Sequence, residues 1–172
     1  MKVLLVNPIT RNVSLSSPDL GLGFLAAALL KENHLVHILD CVNRRMTFEK
    51  FEQYITGLDF EVIGFRVFST DLFSVKKSLQ IVRQQFPDVR IILGGAHPSA
   101  FPEQTLQYFE EADFAIRGEA EKGLTELIHH LSHPEITGKE TIPGLIWRND
   151  GRTICNPPIF PENLDALGHP AW

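Results

Sequence analysis

The chain has 172 residues, 44% of them hydrophobic, and a formal net charge of -5. That length fits one compact domain, or one domain plus a short appendage. The acidic balance and the lack of a basic run argue against nucleic acid or an anionic membrane as partner, and no apolar stretch reaches the roughly 18 residues that a membrane span needs.

In chain order, Lys2–Val6 reads as a short buried strand. It is too short for a secretory leader and runs straight into a turn. Asp19–Glu32 follows as a helix, with Leu20, Phe24, Ala27, Ala28 and Leu30 as its expected apolar face. Leu35–Leu39 is the second strand, ending at Asp40. Thr47 is placed to cap a helix that carries Phe48, Phe51, Tyr54 and Ile55. Glu61–Val67 is the third strand, Asp71–Phe86 the third helix and Val89–Leu93 the fourth strand, which runs into Gly94-Gly95. Pro102–Glu110 is a helix, Asp113–Ile116 a fifth strand and Glu119–Leu131 a fifth helix.

Strands alternating with helices imply parallel pairing through right-handed crossovers. The near-continuous apolar character of the strands agrees, because both faces of such a sheet are covered. The expected fold is a doubly wound, flavodoxin-like or Rossmann-like α/β domain over residues 1–132, with a five-stranded parallel sheet in the order 2-1-3-4-5. Residues 133–172 have a different texture. Leu145–Arg148, Asn149-Asp150-Gly151 and Thr153–Cys155 read as a small hairpin with a tight turn. The proline-rich, aperiodic Asn156–Trp172 reads as an extended arm or linker. Cys41 and Cys155 are isolated, which suits a reducing, cytoplasmic setting and structural roles.

Ligands of open parallel sheets bind beyond the C-terminal strand ends, so the residues there are the site candidates. They are Asn7, Thr10 and Arg11 after the first strand, Asp40 after the second, and Ser69 and Thr70 after the third. Gly94, Gly95, His97 and Pro98 follow the fourth, and Arg117, Gly118, Glu119 and Glu121 the fifth. Each has a structural alternative. Gly94-Gly95 either makes a tight turn needing positive φ or lets a flat ligand approach the backbone. Ser69-Thr70 can cap the third helix. Asp40 is a turn former or a hydroxyl acceptor. Arg117 and Glu119 can be a surface ion pair, or Glu119 a helix N-terminal acid. His97 is most simply a hydrogen-bonded structural histidine, and otherwise a ligand contact or metal ligand. His129, His130 and His133 suit a helix end rather than a metal. No G-x-G-x-x-G follows the first strand, no Walker loop is present, and the acidic pair, Asp and Lys of a phosphoacceptor domain are missing from their places. No nucleophile–base set is recognisable.

Taken together, Val6-Asn7-Pro8, Pro18-Asp19-Leu20-Gly21-Leu22-Gly23, Ile38-Leu39-Asp40, Gly94-Gly95-Ala96-His97-Pro98 and Arg117-Gly118-Glu119-Ala120-Glu121 resemble the N-terminal domain of cobalamin-binding radical S-adenosylmethionine proteins. Ile142-Pro143-Gly144-Leu145, Asn163-Leu164-Asp165-Ala166-Leu167 and Pro170-Ala171-Trp172 fit the same pattern. The resemblance implies a module that holds cobalamin against a C-terminal radical barrel, in enzymes of methyltransferase or cyclase type. That barrel would carry a Cys-x3-Cys-x2-Cys set for a [4Fe–4S] cluster and bind S-adenosylmethionine; the set is absent from this sequence, so the fragment alone is not expected to be catalytic. The resemblance further implies a polypeptide continuing beyond Trp172. The alternative is a domain of the same fold that binds no cobalamin and serves docking or small-molecule sensing. Mutase-type cobalamin domains place a histidine in the loop after the first strand; Asn7–Ser14 has none. The expectation is cobalamin with its own base detached and no protein histidine on the cobalt, with Thr10 or Arg11 nearest its lower face.

Overall fold

The computed structural model describes residues 1–10, 17–136, 138–163 and 167–171. The elements are β1 (Lys2–Asn7), α1 (Leu20–Lys31), β2 (Leu35–Asp40), α2 (Phe48–Thr56), β3 (Val62–Arg66), α3 (Leu72–Gln85) and β4 (Arg90–Gly94). They continue with α4 (Ala96–Ala100), α5 (Pro102–Tyr108), β5 (Phe114–Ile116), α6 (Ala120–Ser132), β6 (Leu145–Asn149) and β7 (Arg152–Cys155). The first five strands pair in parallel in the expected order, β2-β1-β3-β4-β5. The expected hairpin is also present. It extends the sheet beyond five strands, because β6 pairs antiparallel with β5 and β7 with β6. Its turn residues, Asp150 at φ 47° and Gly151 at φ 77°, adopt the positive φ pair that a two-residue hairpin loop requires.

Each face of the sheet has its own core. Leu4, Val6, Ile63, Phe65, Ile91 and Leu93 pack toward α2, α3 and α5, where Phe51, Leu79 and Phe109 are fully buried. Val3, Leu5, Val62, Ile92 and Ile116 point the other way, toward α1 and α6. Alternation along each strand produces this division. The two faces are unequal: three helices cover the first and two cover the second.

Two expectations change on this scaffold. The buried face of α1 is Leu22, Gly23, Ala26, Ala27 and Leu29, while Leu20 and Leu30 are exposed. The helix is apolar nearly all round, so periodicity did not mark the inward side. The helix start expected at Pro102 is preceded by a further helical turn, α4, which begins directly after Gly95. Thr47 caps α2 as expected, accepting from Lys50 N–H at 3.3 Å. Ser69 and Thr70 do not cap α3. Its N-cap is Asp71, whose side chain makes no capping bond to the helix, and Ser69 Oγ lies 2.9 Å from His97 Nδ1 instead.

The arm after β7 returns onto the domain. Gly144 N–H donates to Pro157 O, Lys31 Nζ to Leu167 O, and Ala171 N–H to Gly23 O at 2.9 Å. Besides the β5–β6 pairing, one cation ties the hairpin to the domain: Arg148 donates to Ala112 O at 2.7 Å, Leu106 O at 2.5 Å and Phe109 O at 3.1 Å. Charged donors on several carbonyls are among the stronger hydrogen bonds. Arg148→Ala is therefore expected to lower stability by about 1–3 kcal/mol. Urea denaturation reads the loss, and amide exchange should show it concentrated in β6 and β7.

Candidate functional site

A cleft of about 340 Å³ opens on the two-helix face, beyond the C-terminal halves of β3 and β4. Its floor is the sheet itself. Register puts Gly64 beside Ile92 and Arg66 beside Gly94, and all four point to this face with Leu5. The floor is low where the two glycines stand. A Cβ on Gly94 would meet nothing within 4 Å, and one on Gly64 would sit 3.1 Å from Leu5 Cδ2. Leu22 and Leu25 of α1 form one wall, Leu124 of α6 and Ile116 the other. The mouth carries the polar groups: Asp19, Arg66, Glu119 and Glu121.

Arg66 organises that mouth. Its Nη1 donates to Asp19 Oδ2 at 2.7 Å, its Nη2 lies 3.7 Å from Asp71 Oδ2, and its guanidinium carbon sits 4.4 Å over the Phe68 ring. Asp19 also caps α1, accepting from Leu22 N–H at 3.1 Å. One cation thus ties the starts of α1 and α3 to the end of β3, while its Nε is buried without a partner. Glu121, at the mouth of the cleft, is half-buried. Burial, with the nearby charge of Glu119, raises its pKa above the usual carboxylate value.

Gly94 and Gly95 divide the two roles open to them. Gly95 has φ 105° and ψ -164°, a conformation that side chains rarely adopt, and its Cβ would press on Val67 O at 3.0 Å. It makes the turn into α4. Gly94 leaves open space. Gly118, at φ 76°, packs against Pro158 of the arm, and its N–H donates to Ser99 Oγ at 3.0 Å.

Of the residues singled out in the sequence, the cleft brings together Gly94, Gly95, Gly118, Glu119 and Glu121. Asn7 and Asp40 form a separate pair at the ends of β1 and β2. Asp40 Oδ1 accepts from Asn7 Nδ2, Val42 N–H and Asn43 N–H, each at 3.0 Å, so it is a turn former; Asn7 Oδ1 is buried and unpartnered. Thr10 lines a smaller hollow of about 180 Å³ with Cys41 and Met46, and Arg11 lies outside the described residues. His97 is 8% exposed, packs its ring on Phe101 and Phe109, and does not line the cleft; burial lowers its pKa. Pro98 is buried in α4, and Thr70 is at the start of α3. Arg117 makes no ion pair with Glu119; its Nε donates to Asn156 O at 3.1 Å. Sequence reasoning missed Gly64, Arg66 and Asp19. A glycine inside an apolar strand signals close approach, and Asp19 ahead of a helix signals a cap. Their convergence depended on register. Among the described residues no histidine, cysteine and carboxylate group has the arrangement of a metal site. No helix among them is long and apolar enough to cross a membrane.

A model of the B12 binding domain matches residues 6–128. The chain belongs to the B12 binding domain family. It is 30% identical to an uncharacterized methyltransferase of Pyrococcus horikoshii, over 100% of this chain and 38% of that protein. It is 23% identical to the anaerobic magnesium-protoporphyrin IX monomethyl ester cyclase of Rubrivivax gelatinosus, over 100% of this chain and 32% of that one. The chain therefore spans about a third of the length of these relatives. The radical S-adenosylmethionine methyltransferase TsrM of Kitasatospora setae, solved with cobalamin and a [4Fe-4S] cluster, shares the fold. That likeness has a TM-score of 0.77 at 24% identity and covers 99% of this chain and 31% of TsrM.

Two outcomes test this geometry. Gly95→Ala is expected to cost about 1–3 kcal/mol from the positive φ it must keep, whereas Gly94→Ala should leave the urea midpoint unchanged. Glu121→Gln probes the raised carboxyl pKa. A carboxyl whose folded pKa exceeds its unfolded value stabilises the fold while protonated, and that contribution is lost as pH rises through the folded value. The glutamine variant should thus melt higher than wild type at neutral pH. The two should converge below about pH 3, where the carboxyl is protonated in both states.

Proposed function

We propose that this domain holds cobalamin by its nucleotide tail in the cleft between α1 and α6, as the cofactor-carrying part of a larger cytoplasmic radical S-adenosylmethionine enzyme of methyltransferase or cyclase type. One observation carries the reading. In a chain of the B12 binding domain family, an apolar cleft opens at the C-terminal strand ends over two glycines, where such a sheet receives its ligand.

The residues present fit the group. Its flat base needs an apolar slot, and the space above Gly94 is one that any side chain there would fill. The corrin ring would lie at the mouth, where its amide side chains meet Glu119, Glu121 and backbone groups around Gly95 and Gly118. Asn7 Oδ1, buried without a partner, is a further acceptor at the strand ends for an amide N–H. When bound, cobalamin supplies the organometallic reactivity, and the protein supplies position and surroundings. Thr10, in the hollow beside Cys41 and Met46, would lie toward the lower face of the ring. His97, held by Ser69 and the Phe101 and Phe109 rings, supports a cobalt without a protein histidine. The missing two-thirds of the relatives' length would supply the iron–sulfur cluster, S-adenosylmethionine and substrate contacts.

Titration with hydroxocobalamin, followed by gel filtration, tests this reading. We expect retained colour with wild type and at least about tenfold weaker binding for Gly94→Leu, because its side chain occupies the slot, at unchanged melting temperature. Paramagnetic resonance of the cobalt(II) form should show no nitrogen splitting from the protein and an identical spectrum in His97→Ala. Nitrogen splitting that disappears in that variant would overturn the base-off, histidine-free assignment. Failure of the wild type to retain any colour would leave a docking or sensing role.

A further inference from the structure

The turn between β5 and α6 puts Gly118 and Glu119 at the rim of the cleft. Its own side chains do little to hold it. Glu119, the N-cap of α6, makes no capping bond, and Arg117 reaches away from Glu119 altogether. Ser99 supplies one acceptor, for Gly118 N–H at 3.0 Å. The other supports come from chain that follows α6. Arg117 N–H donates to Gly144 O at 2.9 Å and Arg117 Nε to Asn156 O at 3.1 Å. Pro158 lies so near Gly118 that a Cβ on that glycine would be 2.8 Å from the Pro158 Cβ. Gly144, at φ 69°, allows this close approach, since a Cβ there would run into Arg117 O.

Asn156, the first residue of the arm, joins these supports. It is 6% exposed. Its Nδ2 donates to Lys139 O at 2.7 Å and to Ile142 O at 2.8 Å, and its N–H donates to Leu145 O at 2.8 Å. Its carbonyl takes the Arg117 bond, and the next carbonyl, that of Pro157, accepts from Gly144 N–H at 2.9 Å. The segment ahead of β6, the start of β6 and the β5–α6 turn thus meet on one asparagine. Both amide hydrogens are in use, so the residue has one satisfied orientation, and leaving it strands buried carbonyls. The same anchoring sets where Pro158 rests on Gly118.

We infer that Asn156 is a positioning residue for the cleft: by seating the arm against Arg117 and Gly118 it fixes the rim that a bound corrinoid meets, so arm seating and cleft occupancy are coupled. This coupling presupposes the cobalamin reading above and extends it to a residue outside the cleft. Coupling of this kind is reciprocal. If the seated arm favours the ligand, the ligand favours the seated arm by the same factor.

The test uses the 172-residue chain, with hydroxocobalamin as the probe and two readouts. The first is the dissociation constant. Asn156→Ala is expected to weaken binding about five- to tenfold. Pro158→Gly keeps every Asn156 bond and removes only the packing on Gly118, and should weaken it about two- to fivefold. Arg148→Ala loosens the same hairpin without touching the turn, and should leave the constant unchanged. The second readout is exchange of the Gly144 amide, whose acceptor is the arm. Saturating hydroxocobalamin should slow it in the wild type by a factor similar to the loss in Asn156→Ala. Binding that is equally tight in wild type, Asn156→Ala and Pro158→Gly overturns the coupling, as does Gly144 exchange indifferent to the ligand. A loss in Arg148→Ala as large as that in Asn156→Ala would reduce Asn156 to a general stabilising role. A wild type that binds no hydroxocobalamin ends the cobalamin reading and the coupling with it, an outcome distinct from binding that the variants leave intact.

Discussion

The cleft depends on a gap in side-chain volume. On the face covered only by α1 and α6, the C-terminal halves of β3 and β4 present Gly64 and Gly94 where larger residues would meet the helices. Interiors are packed to near-crystalline density, so a sheet floor lowered at two diagonally related positions leaves either collapse or a hollow. Collapse is prevented at the edges. Leu5 and Ile92 hold up the floor on either side, and the Arg66–Asp19–Asp71 group keeps the starts of α1 and α3 fixed to the end of β3. The hollow therefore persists, and on the proposed reading a bound ligand would complete the core on that side.

The same economy explains why the opposite face is quiet. Phe51, Phe65 and Phe109 fill it under three helices, and His97 is absorbed there beside Phe109 rather than offered to a ligand. Cys41, with its pKa pushed up to about 12 by burial, belongs to the same core and is poorly suited to metal or redox chemistry. The two faces divide structural and binding tasks, and strand alternation decides to which face each residue goes.

Much of this was legible in the sequence. The parallel order followed from the alternation of apolar strands with helices, the α2 cap from Thr47, and the hairpin from Asn149-Asp150-Gly151. Gly94, Gly95, Gly118, Glu119 and Glu121, singled out because ligands of such sheets collect beyond strand ends, line the cleft. What was not legible depended on register and on helix rotation. Gly64 reads as one residue of an apolar run until β3 is aligned with β4. Arg66 looks like the polar end of a strand until Asp19 and Asp71 are brought to it from opposite directions. The inward face of α1 was hidden because both of its sides are apolar. Ser69 looked like a cap because the chain between them did not reveal that His97 would fold back onto it.

The most direct measurement is a crystal structure of the chain with hydroxocobalamin. The account predicts the detached base between α1 and α6, stacked over Gly64 and Gly94 and flanked by Leu25 and Leu124, with no histidine within bonding distance of cobalt. A complex with the base still on the cobalt, or with the tail outside this cleft and the space over Gly94 vacant, would contradict it.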